Sequence, residues 1–214
     1  MVTRLNPGAG LSEGRIVAIV RDREGRHLQA ACETLVDAGI GAIEVTSNTP
    51  GAASAIARLA AEGGADVGMG TVRTVEHVRM AADAGAAFIV TPTLSLEVGA
   101  AAADAGLRWY PGAMTPTEIE TAWSAGATAV KVFPASSLGG PRYVREVLAP
   151  LDDIMLIPTG GVRIEDIPAY LDAGAFGLGM GSPLLGDAVA TGDLVALRAR
   201  ASAALAAVHR HSQR

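Results

Sequence analysis

Val75-Glu76-His77-Val78-Arg79-Met80-Ala81-Ala82-Asp83-Ala84-Gly85-Ala86-Ala87-Phe88-Ile89-Val90-Thr91 holds one complete helix–strand unit. Thr74 precedes it as a helix cap, and apolar residues recur at helical spacing through Val75–Ala84. Ala84-Gly85 ends the helix, glycine taking the left-handed backbone that such an ending needs. The apolar run Ala87–Thr91 then reads as a strand. Working outward, the same rhythm returns roughly every 20–25 residues. It predicts strands at Ile16–Val20, Ala42–Val45, Asp66–Gly70, Ala87–Thr91, Arg108–Tyr110, Ala129–Phe133, Ile154–Pro158 and Phe176–Met180. Ala38-Gly39, Ala105-Gly106, Ala125-Gly126 and Ala173-Gly174 repeat the helix ending. Thr115-Pro116-Thr117-Glu118 opens another helix, with proline at its first position.

Eight parallel strands with outer helices predict an α/β chain folded as a single-domain (β/α)8 TIM barrel. A doubly wound open sheet is the alternative, but eight units of even length leave no room for a reversal of strand order. Asp193 to Val208 predicts a C-terminal amphipathic helix and 209–214 a polar tail. Residues 1–14 form an N-terminal extension of open role. His77 follows a helical pattern and reads as a surface residue rather than a base.

At 214 residues the chain is long enough for one domain with a full core. Half of it is apolar and 18% is charged, which excludes a disordered chain. A net charge of −5 argues against nucleic acid or an anionic membrane as partner. Charges and glycines interrupt every apolar stretch before the roughly 18 residues of a membrane span. Met1–Gly10 lacks the apolar stretch of a secretion signal, so a cytoplasmic protein is expected. The one cysteine, Cys32, shares a helical pattern with Leu28 and Leu35 and reads as a small core residue. His209 and His211 have no third ligand with which to hold a metal.

Of 17 basic residues, 16 are arginine, and the single lysine is Lys131. It interrupts Ala127-Thr128-Ala129-Val130-Lys131-Val132-Phe133-Pro134, a run that otherwise reads as a buried strand. A desolvated lysine can give up its proton and form an imine with a carbonyl, whereas arginine can do neither. The bland alternative is codon bias plus one snorkelling lysine. Glu44 interrupts Ile40–Val45 in the same way. An isolated buried charge costs several kcal/mol, so two opposite charges facing one lumen would offset each other. They read either as a structural ion pair or as a nucleophile with its proton shuttle.

In such barrels functional groups collect at the C-terminal strand ends. Those positions offer Arg21, Thr71, Pro92, Phe133 and Thr159 beside the two charges. Arg21 either clamps a carboxylate or is a solvated member of Arg21-Asp22-Arg23-Glu24. The last two strand–helix turns carry Gly160-Gly161 and Gly181-Ser182, where glycines let backbone N–H groups approach an anion. Together they suggest a phosphate cradle; tight turns are the alternative.

With these motifs in order, the chain resembles the class I 2-keto-3-deoxy-6-phosphogluconate (KDPG) aldolases and their 6-phosphogalactonate and 4-hydroxy-2-oxoglutarate relatives. The resemblance spans about Ile16 to Leu185. It rests on Ile43-Glu44-Val45-Thr46, Gly68-Met69-Gly70-Thr71-Val72, Val90-Thr91-Pro92, Tyr110-Pro111-Gly112, Val130-Lys131-Val132-Phe133-Pro134, Pro158-Thr159-Gly160-Gly161-Val162 and Gly179-Met180-Gly181-Ser182. It implies Lys131 as the Schiff-base lysine and Glu44 as the general acid/base. Phe133 would meet the pyruvate methyl, Thr71 and Thr159 the pyruvyl carboxylate and carbonyl region, and Pro92 the wall. Gly160, Gly161, Gly181 and Ser182 would hold the phosphate of a phosphorylated 2-keto acid. The resemblance further implies no metal or organic cofactor and a homotrimer. Some members carry arginine where this chain has Asn48; others carry it at the end of the first strand, as Arg21 does. The gluconate or galactonate preference stays open. A 4-hydroxy-2-oxoglutarate aldolase, a phosphosugar isomerase or epimerase, and a non-catalytic phosphometabolite-binding barrel are the rival readings.

Overall fold

A computed structural model describes residues 4–213; Met1–Thr3 of the N-terminal extension and Arg214 of the tail lie outside them. The strands are β1 (Ile16–Val20), β2 (Ala42–Thr46), β3 (Asp66–Gly70), β4 (Phe88–Val90), β5 (Arg108–Tyr110), β6 (Gly112–Ala113), β7 (Val130–Val132), β8 (Leu156–Pro158) and β9 (Leu178–Met180). All pairings are parallel. They run β5-β4-β3-β2-β1-β9 in one sheet and β6-β7-β8 in a second. Eight strands were expected, and each expected segment carries one. The ninth is β6, which follows β5 directly after Pro111, a residue with no N–H to extend a ladder. Beyond β8, a lone parallel bridge joins Thr159 to Gly179 of β9.

The strands alternate with helices α1 (Ala9–Gly14), α2 (Leu28–Asp37), α3 (Ala52–Glu62), α4 (Val75–Asp83), α5 (Leu96–Asp104), α6 (Pro116–Ser124), α7 (Pro141–Leu148) and α8 (Ile167–Asp172). After β9 come α9 (Ser182–Leu185), α10 (Ala188–Thr191) and α11 (Leu194–Ser212). Thr74 caps α4 by accepting from the His77 amide, and Thr115 and Glu118 form a reciprocal capping box on α6. Among the described residues no helix is long and apolar enough to cross a membrane.

Two-residue periodicity divides each strand between two apolar layers. Ala18 and Val20, Ile43 and Val45, and Val130 and Val132 join the layer beneath the helices. Val17, Ala42, Ala129 and Ile157 face the concave side, with Phe88, Val90 and Tyr110. Glu44 follows Ala42 by two residues and Lys131 follows Ala129 by two, so both charged groups point inward.

Three boundaries depart from expectation. No helical periodicity marks α1, yet Leu11 is buried in the inner layer and the Gly10 N–H donates to Asp66 Oδ2 at 3.2 Å. The final helix passes Val208 and includes His209–His211, held there by burial of Val208 and by His211 Nε2 at 3.0 Å from Asp172 Oδ1. β7 stops at Val132, before Phe133 and the N–H-less Pro134, so Phe133 is not a buried strand residue but a rim residue, 42% exposed.

Candidate active site

Lys131 on β7 is 7% exposed and Glu44 on β2 is 1% exposed. Both line a small cavity of about 10 Å³, along with Ile19, Tyr110 and Thr159. Glu44 Oε1 is buried and has no hydrogen-bond partner. Burial pushes the Glu44 carboxyl above its ordinary range, while the charges of Lys131 and then Arg21 pull it back part of the way. A backbone without a side chain makes room for this carboxylate: a Cβ on Gly70 of the adjacent β3 would overlap it. A Cβ on Gly179 would likewise overlap Thr159 Oγ1.

Above this space lies a cavity of about 280 Å³, open to solvent. Ile19, Lys131 and Thr159 line both, so the two cavities adjoin at these residues. Arg21, Thr71, Pro92 and Phe133 line the upper one. Gly160, Gly161, Gly181 and Ser182 line it as well, with the Phe133 ring packed against Gly160. Ten of the eleven expected site residues therefore meet in one cavity, and the eleventh, Glu44, lies beneath. Lys131 Nζ is 5.3 Å from the centre of the Phe133 ring. Two larger cavities, each about 380 Å³, open elsewhere on the surface and contain none of these residues.

Arg21 is exposed, but the acids of its own loop are engaged elsewhere. Asp22 accepts from the amides of Glu24 and Gly25, and Glu24 pairs with Arg26. The Arg21 guanidinium instead donates to Thr71 Oγ1 at 3.2 Å. Thr71 is a β-branched residue at φ 56°, in the left-handed region that such side chains avoid. Ser47 Oγ fixes it there by donating to its carbonyl at 3.0 Å. Asn48 is exposed and outside the cavity. Among the described residues, no three His, Cys, Asp or Glu side chains gather as a metal-ligand set.

Residues 9–199 match the model of the KDPG and KHG aldolases. The chain belongs to the KDPG and KHG aldolase family. Among the relatives of this aldolase-family chain, the 2-dehydro-3-deoxy-6-phosphogalactonate aldolase of Escherichia coli K12 is 37% identical over 172 residues. That alignment covers 79% of this chain and 83% of the relative. The 2-dehydro-3-deoxy-phosphogluconate aldolase of Haemophilus influenzae is 34% identical over 163 residues, covering 75% and 76%. A solved native KDPGal structure matches with a TM-score of 0.86 at 34% identity, covering 93% of this chain and 96% of that one.

Several residues of this aldolase-family site had escaped sequence reading. Ile19, Leu185 and Gly186 complete the upper cavity. Ile19 was within reach, because it lies two residues from the inward Val17. Ser47 carried no signal, since its role depends on the backbone of Thr71 one strand away. Tyr110 also faces the lower cavity, its hydroxyl pushed up by burial, though its sequence neighbours mark it only as a strand residue.

Proposed function

We propose that this chain is a Schiff-base aldolase that reversibly cleaves a 2-keto-3-deoxy-6-phospho-aldonate, of gluconate or galactonate type, to pyruvate and glyceraldehyde 3-phosphate. One observation carries the reading: the only lysine lies buried between an unpartnered carboxylate below and a cavity of substrate size above. A structural ion pair would leave Glu44 Oε1 satisfied, and it has no partner.

The Lys131 amine attacks C2 of the substrate, and loss of water gives an iminium. Glu44, its carboxyl pushed up by burial, serves carbinolamine collapse and then takes the C4 hydroxyl proton. The 10 Å³ beside it corresponds to about one water, enough for a relay. As C3–C4 breaks, the electron pair moves into the iminium, giving an enamine, so this step calls for no metal or organic cofactor. Protonation at C3 and hydrolysis free pyruvate and restore Lys131. Arg21 and Thr71 hold the carboxylate, Thr159 the carbonyl region, Phe133 the methyl and Pro92 the wall. Backbone amides around Gly160, Gly161, Gly181 and Ser182 hold the phosphate.

The same reading has the sheet closing as an eight-stranded barrel, with β5 and β6 as one strand interrupted at Pro111. The Thr159–Gly179 bridge supports closure on the other side. The working form is a cytoplasmic homotrimer, a point that light scattering on the purified protein checks. Borohydride added with pyruvate is expected to attach mass to the peptide containing Lys131. An unlabelled protein that still cleaves substrate removes the imine mechanism, and an isomerase or epimerase would likewise give no adduct. Comparing kcat/KM for gluconate-type, galactonate-type and unphosphorylated substrates assigns the natural one.

A further inference from the structure

Two cationic side chains, Arg21 and Lys131, line the upper cavity, and the proposed function assigns both to the pyruvyl group. Where it places a phosphate the lining is Gly160, Gly161, Gly181 and Ser182, with Pro183 and Leu185 following, and none of these is cationic. A phosphate monoester carries nearly two negative charges at neutral pH, and backbone amides alone supply only partial charges against it.

A full positive charge stands directly behind that wall. Arg200 of α11 is half-buried, and its Nε and Nη2 donate to the carbonyls of Leu184 and Leu185, each at 2.7 Å. Its guanidinium packs on Gly186: a Cβ there would come within 2.7 Å of Nη2 and 3.2 Å of Nη1. Leu185 and Gly186 both line the cavity. Among the described residues no carboxylate forms a salt bridge with Arg200, whereas Arg198 on the same helix pairs with Asp37. The Gly186 amide in turn donates to the Ser182 carbonyl at 2.8 Å, and the Leu184 and Leu185 amides to Gly181 at 2.9 Å each. One guanidinium thus fixes the turn that bears Gly181 and Ser182, and among the described residues no acid pairs with it.

We propose that Arg200 is a positioning and specificity residue that makes this aldolase prefer phosphorylated over unphosphorylated 2-keto acids, acting through the Leu184–Gly186 wall without touching substrate. The inference rests on the phosphate reading of that end of the cavity. The guanidinium does two things there. It holds the amides of the cradle in register, and its charge acts across a wall only one glycine thick, in a part-buried setting where screening is weak.

The test measures kcat and KM for 2-keto-3-deoxy-6-phosphogluconate, its galactonate epimer and unphosphorylated 2-keto-3-deoxygluconate, in the parent and in Arg200→Gln. About a tenfold rise in KM is expected for both phosphorylated substrates, the equivalent of losing one partly screened charge contact. The KM for the unphosphorylated substrate and the yield of the pyruvate–borohydride adduct are expected to hold. Ala196→Glu approaches the same question with the guanidinium kept. A carboxylate one turn before Arg200 draws its charge away, and the selectivity should fall in the same direction. This second variant serves if Arg200→Gln does not fold. Arg198→Gln is the control and should leave KM unchanged for all three substrates. Equal losses on all substrates would mean a general structural role and would overturn the proposal, as would undiminished phosphate selectivity in a folded variant. A parent enzyme with no preference for phosphorylated substrates would instead remove the phosphate reading itself, a different and separately visible result.

Discussion

Glu44→Gln separates the reaction from the stability of the fold. Burial raises the Glu44 carboxyl above 4.5, and Lys131 and Arg21 only partly reverse it. The native chain therefore binds this proton more tightly than the unfolded chain does. The resulting stabilisation is complete below the unfolded value near 4.5 and is lost as pH rises through the raised native value. Above that range the native state carries a desolvated carboxylate with an unpartnered oxygen. Leaving a buried acceptor unsatisfied costs about 1–3 kcal/mol. The two nearby cations offset part of this, so the lower end applies. A glutamine amide has nearly the same shape and does not ionise. The variant is expected to melt with the parent at pH 4 and above it at pH 8, by about 1 kcal/mol, or about 2–4 °C for a chain of this size. Turnover should fall by about a hundredfold to ten-thousandfold, the usual worth of a positioned acid or base. Some imine formation should survive, because Lys131 remains. Thermal melts from pH 4 to 9, read beside turnover and borohydride trapping, check all three. A melting difference that does not change with pH would refute the linkage argument, and full turnover would remove Glu44 from the mechanism.

Lys131→Arg keeps a cation in place but cannot form an imine; turnover and the borohydride adduct should disappear together, measured by coupled assay and intact mass. Thr71→Gly relieves a left-handed backbone strain of about 1–2 kcal/mol while adding about 0.5–1 kcal/mol of chain entropy, so its stability should stay within about 1 kcal/mol of the parent. Thr71→Val keeps the strain and loses the same hydroxyl. Both should raise KM through Arg21, and only the valine variant should melt lower; identical melting of the two would dispose of the strain argument. Cys32 is fully buried, and burial pushes its thiol up to about 12. Alkylation by iodoacetamide at pH 8 should therefore track unfolding; rapid labelling of native protein would contradict its placement.

What was legible in this sequence was the part written in short periods. Alternation in Ala42-Ile43-Glu44-Val45 and in Ala129-Val130-Lys131-Val132 decides which face each residue takes, and the inward direction of Glu44 and Lys131 follows from counting by two. The Ala-Gly helix endings marked the units for a similar reason: each expresses a local backbone requirement. Features depending on distant neighbours were not legible. The split at Pro111 looked like a strand end, because proline marks the lost N–H but not whether the chain keeps its direction. Helix α1 is too short for periodicity, and Leu11 finds its partners only once Val17, Phe88 and Tyr110 have been assembled from three strands. Arg200 carries no sequence signal of its role, since its acceptors are carbonyls, which no side-chain pattern reveals.

The arrangement also explains why the interior tolerates two charged groups. Below Glu44 the concave side is filled by Leu11, Val17, Phe88 and Tyr110, so the carboxylate meets apolar packing there and the cavity shared with Lys131 above. A direct ion pair would have relieved the desolvation of both groups. The separation instead leaves one oxygen without a partner and an amine open to the upper cavity. That is a costly way to stabilise a fold, and it sets a carboxyl that holds its proton beside a buried amine, as the proposed mechanism requires. Gly70 is the residue that permits it, because any side chain at that position would overlap the carboxylate. The short motif Gly68-Met69-Gly70-Thr71 therefore serves both parts of the site: its last glycine makes room for Glu44, and its threonine carries the hydroxyl that Arg21 engages.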